Sequence, residues 1–586
     1  RLRRKQAIVW LKLRVTPEEA DAVRALNLPG IGVQERPLRY YPNEELAAAV
    51  LGFAGIDNQG LEGLERQYDS VLKGQDGMIV RERDAAGRTI PGGIERRVEP
   101  TDGFSLVLTI DKVIQYIAER ELERGVLEAD ADWGVFVGMD PRTGEVLAMA
   151  NYPSFNPNNY ADYSPELWRN KALTGFYEPG STFKVITAAA ALETGTATPQ
   201  SEYDDPGTLN IGGGRVSCWR AGGHGHQTFV EAVENSCNPV FAMLADQMGR
   251  ETFHKYVKAF GFGEKTGIDF PGEALGLVPG PKAPILTWAN VGFGQGVSAT
   301  AVQMVTAAAA IANGGALMRP YLVKEIRDAA GNVVKRTQPE IVRRPISRET
   351  AMEMREILRS VVVNGSGRQA DVSGYRVAGK TGTAQIPSPT GGYLTGYKAD
   401  MASFLAFAPA DDPRIVGIVM LYRVGREPSY GGVWAAPVLG RIFEQALEHM
   451  GVPRATEERD PDPRVKVPNV INLERSDAEE VLLAHGLQPV FEGARGWVLD
   501  QTPPPGVRVE PGARVILTFY ETTEHDEHVI VPDVTGRSMR DAAALLSQAG
   551  LTIEIEGTGY AVAQDPPKGS AVHWGEIVRV RFEPPR

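Results

Sequence analysis

Disulfides can contribute little to this chain, which has two cysteines, Cys218 and Cys237, in 586 residues, too few to staple a framework of that size. Long apolar runs are missing too. No stretch reaches the ~18 consecutive apolar residues of a membrane-spanning helix. The best candidate, ATAVQMVTAAAAIA at 299–312, is short and carries Gln303 and two threonines, the pattern of a buried core helix. Positive charge is in deficit: 62 Lys+Arg stand against 74 Asp+Glu, a net −12. Phosphate neutralisation needs clustered cations, so no nucleic-acid partner is expected. Glycine (64) and proline (41) stay below low-complexity levels, which excludes a collagen-like or wholly disordered chain. No GxSxG elbow occurs, and of eight histidines the candidates His224, His226 and His254 lie in no recognisable triad setting.

What is present divides the chain into about four domains at ~150 residues each. It begins on Arg, and its opening RLRRKQAIVWLKLR holds six basic residues, read as a solvated basic face; a preceding leader or anchor is expected. Residues 1–102 form a small mixed module, with a helix capped at Thr16-Pro17 and a second helix after Pro42-Asn43. Strands and helices mix over 103–452, including a strand SLVLTI, an amphipathic helix DKVIQYIAERELERGVLE and a hairpin WGVFVGMD-PRTG-EVLAMA. PRATEERDPDPR (453–464) is a charged linker. Beyond it the chain repeats. VPNV (467–470) returns as VPDV (531–534) and Gly486-Leu487 as Gly550-Leu551 at an offset of 64, while QTPPPG (501–506) returns as QDPPKG (564–569) at 63. The units 465–522 and 529–586, joined by ETTEHDEH, each read as a helix ending at a glycine, then short strands about a Pro-rich turn.

Four motifs invite chemistry. Gly374-Tyr-Arg-Val-Ala-Gly379-Lys380-Thr381 fits GxxxxGK[ST], but a phosphate-binding loop must open a helix, and the following GTAQIPSPTGG cannot start one. Read as a strand, the segment puts Lys380 on one face and Thr381 and Thr383 on the other, and Gly382 leaves room for a substrate backbone. In EPGSTFK, Ser181 falls at the start of a helix running to Glu193, with Lys184 one turn on; this suits a nucleophile, its base and helix-end amides for an oxyanion. In NSCNP, Ser236 and Asn238 occupy a tight turn between a helix capped by Thr228 and Glu231 and one beginning with Pro239. Cys218, His224 and His226 have metal-like spacing, but no fourth ligand is evident, so neither metal nor cofactor is expected. Taken singly, each motif reads more simply as a cap, a solvated lysine, a capping turn or a polar strand.

Taken together, SxxK, SxN and KTG in this order resemble the penicillin-recognising serine transferases. The stretches YPNEELAAAVLGFAG, QGLEGLE, TIDKVIQ, DPRTGEVLAMANYPSFNPN, EPGSTFK, VGFGQG and KTGTAQ look like a class B penicillin-binding protein, and the repeats look like two PASTA domains. The resemblance covers nearly the whole chain. The repeats and RVSCW, GHGHQTF and Cys237 point to its septal and sporulation-type members. It implies an α+β multidomain protein: an N-terminal pedestal lacking its first stretch, a transpeptidase domain with an antiparallel sheet flanked by helices, as in serine β-lactamases, and two small α+β domains. It also implies an extracytoplasmic enzyme, anchored by an N-terminal helix absent from this chain and partnered by a SEDS-family glycosyltransferase. Its substrates would be D-Ala-D-Ala stem peptides and an acceptor amine, and β-lactams would be ligands.

The roles carried over are Ser181 as nucleophile, Lys184 as base, and Ser236 with Lys380 in proton relay. Amides of Ser181 and Thr383 would bind the oxyanion. Lys380, Thr381, Gly382 and Thr383 would bind the substrate's carboxylate end, and Asn238 its amide. Separately from those roles, Cys218 and Cys237, the latter between Ser236 and Asn238, could pair outside the cytoplasm and so distort the turn and silence the enzyme, with two buried thiols as the alternative. A D,D-carboxypeptidase or β-lactamase, or a non-catalytic wall-binding scaffold, stays open as an alternative.

Overall fold

A computed structural model describes residues 9–583, apart from 13–14, 35–37, 86–89, 389–390, 456–464, 469, 472, 474, 493–496, 505–506, 511, 521–527 and 574–575. Most of the basic opening and of both charged linkers falls outside the described residues. The chain forms two units, Arg1–Ala455 and Thr456–Arg586.

The first unit is built on five strands: β1 (Trp133–Met139), β2 (Val146–Tyr152), β3 (Ala378–Gln385), β4 (Asp400–Ala408) and β5 (Ile415–Tyr422). They pair antiparallel throughout in the order β3-β4-β5-β1-β2. Their sequences are almost continuously apolar because both faces are covered. Alternation still sorts them: Val135, Val137, Leu405 and Phe407 enter one core, whereas Phe136, Phe404 and Ala406 enter the other. The second core is closed by α1 (Lys112–Glu128) and a long C-terminal helix, Gly431–His449. The first is closed by α2 (Lys184–Glu193), α3 (Asn238–Met248), α4 (Ala301–Ala312) and α5 (Arg348–Val363). As expected, α4 is buried along its whole length, and a Thr300–Gln303 capping box starts it. The lookalike phosphate loop runs from a turn at Gly374 into strand β3, which continues through Thr381 to Gln385 where a phosphate loop would open a helix.

In the N-terminal module, the helix Pro17–Ala25 carries the expected cap, Thr16 and Glu19 bonding reciprocally. The second helix is shorter than expected, a single turn at Ala48–Leu51, because Glu44 and Ala47 adopt left-handed backbone (φ 51° and 57°) that interrupts any earlier start. The module packs on the sheet domain. Phe53 stacks on Tyr160 at 4.1 Å and meets Trp168 edge-on. Tyr68 donates to Asp269 at 2.8 Å, and Glu119 of α1 accepts from the Ala47 amide at 2.8 Å. Among the described residues no helix is long and apolar enough to cross a membrane.

The second unit holds the two repeats. Each has a helix (Arg475–Ala484; Met539–Gln548) ended by a glycine with positive φ, Gly486 or Gly550. Each also has a three-stranded sheet with one parallel and one antiparallel pair. The repeated glutamine explains part of the match. Gln501 accepts from Val470 N–H at 2.8 Å and donates to Pro468 O at 2.9 Å; Gln564 does the same with Val534 and Pro532 at the same distances.

Candidate active site

Ser181 lies not in the α-helix itself but in a 3-10 turn, Gly180–Phe183, that runs directly into α2. Pro179-Gly180 enforces that entry, with Gly180 at φ 55°. The turn is held from behind by VGFGQG: Gly180 N–H donates to Gly294 O at 3.0 Å, and a Cβ on Gly294 would fall 2.0 Å from Gly180 O. The Glu178 carboxylate accepts from Gly296 N–H (3.0 Å) and Tyr393 O–H (2.9 Å), fastening the approach to the turn. Ser181 is part-exposed, and Lys184, first residue of α2, is fully buried. A solvated lysine is therefore excluded.

Lys184 Nζ donates to Ser236 O at 2.7 Å, to Ser236 Oγ at 3.2 Å and to Asn238 Oδ1 at 2.7 Å. The SxxK and SxN motifs, more than fifty residues apart, are thus joined through one amine. The turn that presents them follows the helix Phe229–Glu234, whose Thr228–Glu231 capping box forms as expected. Ser236 takes left-handed backbone (φ 55°), a strained choice for a non-glycine residue. Asn238 was expected just outside the next helix, yet it is the first residue of α3, with Pro239 second. Pro still sits where its missing N–H costs nothing. The Asn238 amide donates to Ser217 O at 3.3 Å, tying it to the hairpin strand Gly214–Ser217.

The KTG residues lie on β3, the outermost strand of the sheet, which leaves an edge available for pairing. Lys380 is fully buried, its Nζ 3.3 Å from Thr381 O and 3.4 Å from Thr381 Oγ1. Thr381 Oγ1 also meets Ser366 Oγ at 2.7 Å, and Thr383 Oγ1 accepts from Gly431 N–H at 3.2 Å. The expected reason for Gly382 has to be corrected. Its missing Cβ makes room for the protein, not for a substrate: an added Cβ would lie 2.4 Å from Ser403 Oγ and 2.8 Å from the methyl of Thr182. Strand β3 packs this closely on the turn that carries Ser181.

Two buried ammonium groups side by side are electrostatically unfavourable. Burial lowers Lys184 to about 7, partly countered by the Cys237 and Cys218 sulfurs. Burial, and then the charge of Lys184, hold Lys380 well below the usual lysine range. A lysine poised near neutrality can take a proton from Ser181.

The spacing of Cys218, His224 and His226 offers no fourth ligand, but folding brings in two others, Asp205 and Cys237, in place of His226. Asp205, Cys218, His224 and Cys237 bring their donor atoms within 4.8 Å of one another. His226 is not among them; it turns outward to Asp204 and Glu202. The two cysteines are free thiols. Burial pushes Cys237 up to about 12, and Cys218 is raised by burial and by Asp205. Sequence reading also missed Glu178, Ser366 and Asp205. Two of them left a signal: Glu178 opens the EPGSTFK stretch, and Asp205 opens an Asp-Pro-Gly turn in which it accepts from Gly207 N–H at 2.8 Å.

Residues 134–444 match the penicillin binding protein transpeptidase domain, residues 3–108 the penicillin-binding protein dimerisation domain, and residues 465–521 and 529–584 the PASTA domain. Stage V sporulation protein D of Bacillus subtilis is 40% identical over 524 residues, 88% of this chain and 80% of that protein. The peptidoglycan D,D-transpeptidase FtsI of Escherichia coli is 32% identical over 456 residues, 76% of this chain and 73% of that one. Among solved structures, penicillin binding protein 3 of Mycobacterium tuberculosis complexed with ampicillin is similar with a TM-score of 0.64 at 34% identity, over 73% of this chain and 92% of that one.

Proposed function

The chain belongs to the penicillin-binding proteins and is a peptidoglycan D,D-transpeptidase with dimerisation and PASTA domains; from that premise we propose that it cross-links stem peptides through an acyl-enzyme on Ser181. The observation that carries this reading is the buried Lys184, one turn from Ser181 and bonded to both Ser236 and Asn238. Three donated bonds suit an ammonium group. As a neutral amine, Lys184 gives up one of them and turns a lone pair to the Ser181 proton.

Ser181 Oγ then attacks the carbonyl of the penultimate D-Ala. The developing oxyanion is met by the amides of Ser181 and Thr383; a Cβ on Gly180 would fall 3.1 Å from Thr383 O, and this close approach of the two segments supports the pairing. Ser236, backed by Lys380, passes a proton to the departing D-Ala amine. Lys380, Thr381 and Thr383 hold the terminal carboxylate, and Asn238 bonds the donor's amide. An amine of a neighbouring stem peptide attacks the ester, releasing Ser181 and forming the cross-link.

β-Lactams acylate the same serine. In this reading the enzyme works on the extracytoplasmic face of the membrane, in septal or spore wall synthesis, with a SEDS-family glycosyltransferase as its proposed partner; the likeness to the sporulation and division transpeptidases supports it. We divide the chain into a pedestal (1–102), a transpeptidase domain (103–452) and two PASTA domains (465–522 and 529–586). Cys218 and Cys237 serve as a redox pair beside the SxN turn. The deciding experiment is labelling with a fluorescent penicillin. Ser181→Ala is expected to abolish a covalent adduct while leaving the melting temperature unchanged; a Ser181-independent adduct would refute the assignment.

A further inference from the structure

Four chain segments aim soft and hard donors at one point beside the SxN turn. Asp205 ends the strand Glu202–Asp205, Cys218 follows the strand Gly214–Ser217, His224 precedes the strand Gly225–Thr228, and Cys237 caps α3. The Asp205 and His224 side chains are almost wholly inaccessible (0% and 3%), and Cys237 is buried. Neighbouring donor atoms lie at 3.2 Å (Cys218 Sγ to His224 Nδ1), 3.0 Å (His224 Nδ1 to Asp205 Oδ2) and 3.2 Å (Cys237 Sγ to Asp205 Oδ2). No pair in the group exceeds 4.8 Å.

We propose that in the reduced protein these four residues form a tetrahedral zinc(II) site that holds the Ser236–Asn238 turn in place. Tetrahedral bonds of about 2.0–2.3 Å put ligand atoms about 3.3–3.8 Å apart, so small shifts turn this cluster into a coordination shell. Two thiolates and an imidazole select zinc over calcium or magnesium, and four protein ligands leave no open position, as in structural rather than catalytic zinc sites. Binding expels both thiol protons to solvent and changes no oxidation state. Among the described residues the Asp205 carboxylate is otherwise countered by backbone amides, thiols and the imidazole; a divalent cation supplies what a buried anion needs.

The consequence concerns positioning. Cys237 stands between Ser236 and Asn238, the residues that Lys184 grips from the other side. A metal bond there anchors the strained Ser236 backbone to two hairpins. The same metal occupies both sulfurs, so a filled site and a Cys218–Cys237 disulfide exclude each other.

The untagged chain, reduced and stripped with a chelator, is titrated with Zn2+ against a chromogenic competitor and, separately, with Co2+. One metal per chain is expected, with the intense visible bands of tetrahedral Co2+ and thiolate-to-metal charge transfer. Cys218→Ser and His224→Ala should weaken binding at least ~100-fold, the upper end of what outer ligand partners alone cost. His226→Ala should leave it unchanged. Substoichiometric metal, a pale octahedral Co2+ spectrum, or full binding by both ligand variants would overturn the site. Fluorescent-penicillin labelling of wild type should be slower without metal than with it. Stoichiometric zinc with identical labelling rates would overturn the positioning role, whereas labelling lost in Ser181→Ala alone bears on the catalytic assignment and not on the metal.

Discussion

Replacing Gly382 with alanine tests the packing of the KTG strand on the Ser181 turn, because two accounts of this residue differ in sign. If the glycine only clears space for substrate, alanine should stabilise the free protein by ~0.5–1 kcal/mol, the usual gain over glycine inside a strand. The geometry predicts the reverse. The new methyl would sit 2.4 Å from Ser403 Oγ and 2.8 Å from Thr182 Cγ2, whereas carbon contacts settle at about 3.5–4.0 Å. Something must move by roughly 1 Å. Ser403 is fully buried with a hydroxyl that has no partner among the described residues, and Thr182, also buried, is held by its bond to Pro179 O at 2.8 Å. Overpacking of this kind costs ~1–3 kcal/mol, so Gly382→Ala should lower the melting temperature. The segment displaced adjoins Ser181, and a ~1 Å misplacement typically costs ~10²-fold in rate; labelling by a fluorescent penicillin should slow by about that factor. Adding Ser403→Ala removes the shorter contact but not the one with Thr182. The double variant should regain part of the stability and little of the rate. A raised melting temperature with labelling within roughly 3-fold of wild type would refute the packing argument.

Two further outcomes follow from buried ionisable groups. Labelling should accelerate as pH rises through about 7 and then level off, because Lys184 is a base only when neutral and burial sets its midpoint there; a flat rate across that range would exclude lysine as the base. Glu119 is raised from 4.5 to about 7 by burial at the junction of α1 with Ala47. An elevated carboxyl contributes stability that is complete below about 4.5 and lost as pH rises through about 7. Glu119→Gln keeps the oxygen that accepts from Ala47 and removes the charge. Unfolding free energies from denaturant titration should therefore match wild type at low pH and exceed it above pH 7, by up to ~3 kcal/mol; an equal gain at both would place the effect elsewhere.

What the sequence made legible were features set by neighbours in the chain. The Thr228–Glu231 cap, the buried helix at 301–312, the hairpin about Asp140 and the duplicated C-terminal unit depend on spacing, turn chemistry and periodicity within a few residues. The order of the three motifs carried more, because each occurs alone by chance and their combination does not. Backbone conformations that break local preference were not legible: left-handed Glu44 and Ala47, which shorten the second helix, and left-handed Ser236. Tertiary packing overrides propensity at such positions, and the strained serine falls in the candidate active site. The purpose of Gly382 was likewise hidden, since its nearest neighbours are Ser403 and Thr182.

Asp205 shows most sharply where sequence reading ends. Locally it is an aspartate opening a Pro-Gly turn, and that role accounts for its presence. Its second oxygen faces His224, nineteen residues on, and Cys237, thirty-two residues on. Those distances along the chain close only once the hairpin strands Glu202–Asp205 and Gly225–Thr228 pair in register, setting Asp205 opposite Gly225. The pairing carries Asp205 to the back of the SxN turn while Lys184 holds its front. Ser236 is therefore constrained from both sides, by a buried amine through its carbonyl and hydroxyl and by the Asp205–Cys237 contact through the next residue. A strained backbone persists only where its surroundings over-determine it, and these two contacts, from segments far apart in sequence, supply that constraint.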